Sequence, residues 1–222
     1  MGQQTIMHKN CFTAHGWKIL NDLAPILSKL SAVLAGGTAL ALQIGHRISV
    51  DLDFFTDTKF EVNDVLAAIK KSGYTYEMIS RGENHFVILI DDVKFSLFHY
   101  EYPFIETFVY NGIKISGILD IAAMKVIAIS QRGSKRDFVD LYRMLQDVPF
   151  TKVAIRMIER YGAEMVSPTV IGKAIVYFKD AEGDPDPQFI NKKIAWETVK
   201  KYFVNHVRQF MIDIDRALKY GL

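Results

Sequence analysis

The feature that most constrains this chain is a change of hydrophobic period near residue 117. Ahead of it, short apolar runs alternate with helix-like stretches; behind it, apolar residues recur at helical spacing to the end. Residues 12–31 read as a helix, with Trp17, Ile19, Leu20, Leu23, Ile26, Leu27 and Leu30 at helical spacing and Pro25 expected to kink or split it. Residues 31–35 read as a short buried strand entering Gly36-Gly37, residues 38–44 as a short helix, 50–56 as a strand and 61–71 as a helix closed by Gly73. Strand-like runs follow at 74–79, 85–90 and 93–100, with Asp91-Asp92 as a hairpin turn, and 103–112 reads as a connection or edge strand. Beyond it, 118–130, 135–146, 151–161, 168–178 and 191–218 read as helices, and AEGDPDPQ at 181–188 reads as a loop. The expected architecture is α+β: a small mixed β-sheet with flanking helices in residues 1–117, then an all-helical bundle in residues 118–222.

Composition narrows the class. With 222 residues, half of them hydrophobic and 23% charged, the chain is globular and too short for three domains, which excludes a disordered tail or a fibre. Its single cysteine, Cys11, can form neither an intramolecular disulfide nor a cysteine zinc cage, and points to a reducing compartment. The six histidines show no zinc spacing. The start, MGQQTIMHKNCFTAHGWK, has no apolar core of signal-peptide length, and no run of about 18 apolar residues occurs, so a cytoplasmic protein without a membrane span is expected. The net charge of +2 divides into −3 over residues 1–110 and +5 over 111–222, which suits a metal-binding front and a polyanion-binding back.

The chemistry concentrates in Gly36-Gly37-Thr38 and Ser49-Val50-Asp51-Leu52-Asp53-Phe54-Phe55. A strand feeding two glycines and then a helix presents backbone N–H groups, and glycines let a phosphate approach closely. Asp51 and Asp53, two apart on a strand, project from one face. Carboxylates that close repel unless a cation lies between them, and a hard oxygen pair suits Mg²⁺ shared with substrate phosphates. His46 and Arg47, just ahead of the acidic strand, fit a phosphate contact or a plain loop equally well. Trp196, Tyr202, Phe203 and Phe210 in the last helix read as core.

The glycine pair, a spacer of thirteen residues and Asp-x-Asp resemble the signature of the DNA polymerase beta nucleotidyltransferase superfamily. The string GGTALALQIGHRISVDLDFF is more similar still to the AbiEii family, toxin components of type IV toxin–antitoxin systems. A later block, from Lys125 through Arg132-Gly133 and Arg136-Asp137 to Asp140-Leu141, resembles that family's helical motif. The resemblance implies a nucleotidyltransferase-type sheet, Mg²⁺ held by Asp51 and Asp53, and phosphates near Gly36, Gly37, Thr38 and Ser49. It also implies a nucleotide contact by Lys125 and Arg136, and Asp137 at the site, either as a base or by fixing Lys125 or an arginine. The cleft is then expected between the two halves. The implied reaction moves a nucleoside monophosphate from an NTP to a hydroxyl of RNA, with the 3′ end of tRNA as one acceptor, under control of a cognate antitoxin. A protein hydroxyl is the other acceptor the superfamily allows.

One departure stands out. Superfamily enzymes place a third carboxylate on a later strand in a Lys-x-Asp context, and here Lys94-Phe95-Ser96 puts a serine at that position. A serine can be neither a carboxylate base nor a strong metal ligand. Either Asp137 substitutes, the acceptor is activated otherwise, or the protein is a non-catalytic nucleotide- or RNA-binding module.

Overall fold

The computed structural model describes residues 7–221. The expectation that the chain starts without a targeting signal rests partly on residues 1–6, which lie outside the described residues. The chain divides into two compact units, Met1–Ser116 and Gly117–Leu222.

The first unit is built on a seven-stranded mixed sheet. Helix α1 (Ala14–Lys29) starts at Thr13, whose side chain accepts from the Gly16 N–H at 3.0 Å, and buries Ile19, Leu20, Leu23 and Leu27 on one stripe. The helix runs through Pro25 without splitting. Pro25 and Asn21, the residue whose carbonyl the missing N–H would have met, both lie on the exposed side, where water can take that bond. Strand β1 (Val33–Ala35) then enters α2 (Gly36–Ile44), which ends at Gly45 in the left-handed conformation. Next come β2 (Leu52–Thr56), α3 (Val62–Lys71), β3 (Glu77–Arg81), β4 (His85–Ile90), β5 (Val93–His99), β6 (Thr107–Tyr110) and β7 (Ile113–Ser116).

The spatial order is β3-β4-β5-β2-β1-β7-β6. Strand β1 runs antiparallel to β2 and parallel to β7, β2 runs parallel to β5, and the remaining pairs are antiparallel. Registers align Ile115, Leu34, Phe54, Leu97 and Phe86 in one row across five strands, each at most 1% exposed. This row is the core face. Residues one step to either side, including Asp53, Phe55, Ser96 and Phe98, point to the other face.

Two strands differ from expectation. β7 was not anticipated, although Asn111-Gly112, with φ of 49° and 79°, is the turn that joins it to β6 as a hairpin. The strand expected at 74–79 lies instead at Glu77–Arg81. It is an edge strand exposed along its whole length with a register shift between Met78 and Ser80, so no burial alternation marks its place.

The second unit is all helical: α4 (Ile118–Arg132), α5 (Lys135–Met144), α6 (Phe150–Tyr161), α7 (Pro168–Ile175), the short α8 (Lys179–Glu182) and α9 (Trp196–Tyr220). Its core is aromatic, with Phe138 5.6 Å from Phe203 and 5.8 Å from Trp196, and Phe150 stacked on Phe210 at 4.1 Å. Buried Asp120 takes a bond from Arg156 at 2.8 Å, and its backbone oxygen takes one from Arg160 at 2.7 Å. Charges so far from water persist only when partnered.

Cys11 offers a direct probe of the first unit. It is fully buried, and burial pushes its thiol pKa up, opposed in part by nearby Arg47. The native protein is expected to resist a thiol reagent such as DTNB until denaturant opens this unit. As pH rises above the ordinary thiol value of about 8.5 the unfolded chain ionises first, so Cys11 should subtract from stability in that range. Fast labelling of native protein at neutral pH would contradict this placement.

Candidate active site

In the first unit the glycine turn and the acidic strand meet. Gly36 opens α2 with φ of +68°, and a β-carbon there would lie 3.2 Å from Asp53 Oδ2. At Gly37 a β-carbon would strike the Arg47 guanidinium and lie 3.3 Å from Ser49 Oγ. Gly36 is favoured by its backbone conformation, and at both glycines a β-carbon would crowd a side chain that must give way. Thr38 Oγ1 bonds the backbone oxygen of Asp51 and lies 2.9 Å from Ser49 Oγ. With one proton, the Thr38 hydroxyl donates to the carbonyl and accepts from Ser49. The Ser49 N–H donates to the Cys11 carbonyl at 2.9 Å. The segment carrying Ser49 and Asp51 is thus held on α2 before it enters β2.

Asp53 pairs in register with Ala35 on one side and Ser96 on the other. Ser96 thus shares the Asp53 face and is almost fully buried there. Lys94, one step along β5 on that face, brings its Nζ to 3.8 Å from Asp51 Oδ2. Among the described residues no group of three or more His, Cys, Asp or Glu side chains converges to hold a metal. A pair of carboxylates beside a glycine turn at a helix N-terminus fits Mg²⁺, which takes one or two protein carboxylates and completes its shell with substrate phosphates and water.

The second unit carries its own polar cluster. Lys125, buried on α4, donates to Asp137 Oδ1 at 2.7 Å and pairs with Asp140 Oδ2 at 2.9 Å, both on α5. Asp137 Oδ2 accepts from the Ser134 hydroxyl at 2.7 Å and from the Ser134 N–H at 3.3 Å, closing a capping box at the start of α5. Both oxygens of Asp137 therefore have donors. Arg136, on the same helix, faces outward and lines an open depression with Arg132, Gly133, Ser134, Asp184 and Pro185.

Gly36, Gly37, Thr38, Ser49, Asp51 and Asp53 thus form one local group, and Lys125, Asp137 and Asp140 another. Sequence reasoning left Arg47 open and placed Lys94 on the side of Ser96 without giving it a role at the site. Arg47 is a buried guanidinium against the glycine turn. The signal for Lys94 was available, because strand alternation already put it on the side of Ser96.

A mixed sheet with a glycine turn and a paired-aspartate strand defines a nucleotidyltransferase fold, and comparison with known proteins agrees. The structure resembles that of a candidate nucleotidyltransferase from Helicobacter pylori, with a TM-score of 0.57 at 19% identity over 91% of this chain and 96% of that one. It also resembles the nucleotidyltransferase toxin MenT4 of Mycobacterium tuberculosis, with a TM-score of 0.52 at 15% identity over 93% and 94% of the two chains. Residues 18–83 match the family model of the nucleotidyl transferase AbiEii toxin of type IV toxin–antitoxin systems. Over 186 residues, 80% of this chain and 87% of the relative, it is 33% identical to aq_aa25, an uncharacterized protein of Aquifex aeolicus. The chain belongs to the AbiEii nucleotidyltransferase toxin family. Among the described residues no helix is long and apolar enough to cross a membrane.

Two substitutions test the geometry. Gly36→Ala forces a β-carbon into a left-handed position against Asp53, and a stability loss of about 1–2 kcal/mol is expected from the backbone alone. Thermal denaturation measures it, and an unchanged Tm would contradict the contact. Lys125→Met removes the shared counter-charge of two carboxylates in a buried setting and is expected to cost roughly 3 kcal/mol. Denaturant unfolding reads that loss separately from any effect on nucleotide affinity.

Proposed function

We propose that this protein is a cytoplasmic toxin that transfers a nucleoside monophosphate from an NTP to a hydroxyl of RNA, under a cognate antitoxin. The observation that carries the reading is the carboxylate of Asp53 laid against Gly36 at the N-terminus of α2. That contact puts a cation-binding group beside a backbone built for phosphate. Asp51 and Asp53 would hold Mg²⁺, which when bound offsets charge on the transferring and leaving phosphates. Gly36, Gly37, Thr38 and Ser49 would border the triphosphate, with the Arg47 guanidinium as the cation at the turn. Lys125 and Arg136 would be the nucleotide-contacting residues of the second unit, Lys125 as a donor and not as a net positive charge, since Asp137 and Asp140 share it.

In the reaction an acceptor hydroxyl oxygen attacks the α-phosphorus, the bond to the β-phosphate breaks and pyrophosphate leaves. With Ser96 beside Asp53, the sheet supplies no third carboxylate to take the hydroxyl proton. Asp137 already receives bonds on both oxygens, which supports fixing Lys125 as its first role. Ser96 also favours a second reading, a nucleotide- or RNA-binding module without turnover.

Labelled NTP with Mg²⁺ and total RNA, or total protein, separates the two readings. Transfer is expected to RNA, and Asp51→Asn with Asp53→Asn is expected to abolish both transfer and Mg²⁺-dependent NTP binding without loss of fold. Ser96→Ala should change the rate little. Asp137→Asn should lower transfer while sparing much of the NTP affinity. Label on protein alone would move the acceptor to a protein hydroxyl. Metal-dependent NTP binding without transfer would favour the module, and NTP affinity unchanged in the double variant would remove Asp51 and Asp53 from the site.

A further inference from the structure

One strand step beyond Asp53, the same sheet face turns aromatic. Registers align Lys114, Val33, Phe55, Phe98 and His85 in a row across five strands. Phe55 stacks on Phe98 at 5.5 Å, and Phe98 stacks on His85 at 5.9 Å. The segment after β5 folds back over this row, with Tyr100 5.2 Å and Phe104 6.1 Å from Phe55, and Tyr102 5.3 Å from Tyr100.

These rings do not close a core. The core row lies on the opposite face and is already complete, whereas Phe55, Phe98 and Tyr100 are only half-buried and Tyr102 is 37% exposed. They line instead an open depression of about 260 Å³, bordered by Phe55, Asp57, Tyr100, Tyr102, Phe104 and Lys114. That is just under the ~300–1,000 Å³ of sites that enclose a whole small molecule, and suits one flat ring held in an open depression. Aromatic walls with a lysine at the rim match a flat π-system carrying negative charge nearby. The distance from Asp53 also suits it: two residues along a strand are about 6.8 Å, and Lys114 lies two strand spacings, about 10 Å, to the side of Phe55. A nucleotide chain spans such lengths.

We propose that this depression binds a nucleobase, with Lys114 attracting the phosphate attached to it. The proposal rests on the reading of Asp51 and Asp53 as a nucleotide-processing pair only for the choice of ligand; the cavity and its aromatic walls stand without it. The base belongs either to the incoming NTP or to single-stranded RNA, and the two sources share one chemistry.

Photo-crosslinking of the full chain separates them. One arm uses 4-thio-UTP with Mg²⁺; the other uses a short single-stranded RNA carrying one 4-thiouridine, in EDTA, where no transfer can occur. The expected result is label on the peptide containing Tyr100, Tyr102 and Phe104, from one probe or both. Tyr102→Ala and Lys114→Ala, both at exposed positions, should each weaken binding of the labelling probe about five- to tenfold with the Tm unchanged. Label from 4-thio-UTP alone assigns the site to the incoming nucleotide, and label from RNA assigns it to the acceptor. Labelling that persists in a protein with no transferase activity would sink the catalytic reading and leave this site intact. Absence of label from both probes, or variants that bind both probes as tightly as the parent, would overturn the proposal.

Discussion

Two carboxylates on one sheet face repel each other, and much of the first unit can be understood as the means of holding them there. Asp53 is set by its pairing between Ala35 and Ser96, and Asp51 by the Thr38 hydroxyl that takes its backbone carbonyl. Both restraints originate in the β1–α2 junction. Its glycines have no side chain because Asp53 and Arg47 occupy the space where one would be. The glycine turn and the acid pair therefore meet at Gly36, where the Asp53 carboxylate borders the space a side chain would take. Lys94, 3.8 Å from Asp51, and the nearby Arg47 bring positive charge to this region, which lowers the cost of keeping the acids close.

The second unit solves a similar problem differently. Lys125 interrupts an apolar helix, and burying an ammonium is costly unless it is paired. Asp137 and Asp140, one helical turn apart, supply the pair. Asp137 also closes the first turn of α5 through Ser134, so the cap of one helix and the lysine of another share a carboxylate. A polar group with two structural bonds is held rigidly in place.

Much of this was legible in the residues. The change of period near residue 117, the hairpin at Asp91-Asp92 and the helices of the second unit follow from apolar spacing and turn chemistry. So does the side of the sheet on which Lys94, Ser96 and Phe98 lie, because strand side chains alternate. What escaped depends on long-range pairing. Strand β7 is four residues long and gains its place only beside β1, and β3 has no buried face to mark it. A contact of Asp137 with Lys125 was among the alternatives, but Asp140 as a second partner needs the angle between α4 and α5, which no local pattern encodes. The aromatic row needs five strands in register, its members drawn from positions 33 to 114.

Ser96 shows why a departure from a motif is better judged by its neighbours than by its identity. In register with Asp53, it stands about one strand spacing, ~4.8 Å, from that carboxylate's strand, and it is 1% exposed. A third carboxylate in so dry a place would add a repulsion that the unliganded fold must bear, and the nearby cations, Lys94 and Arg47, number no more than the two acids already present. The serine keeps that count even. A serine in place of a carboxylate at this position therefore makes the acid pair easier to hold.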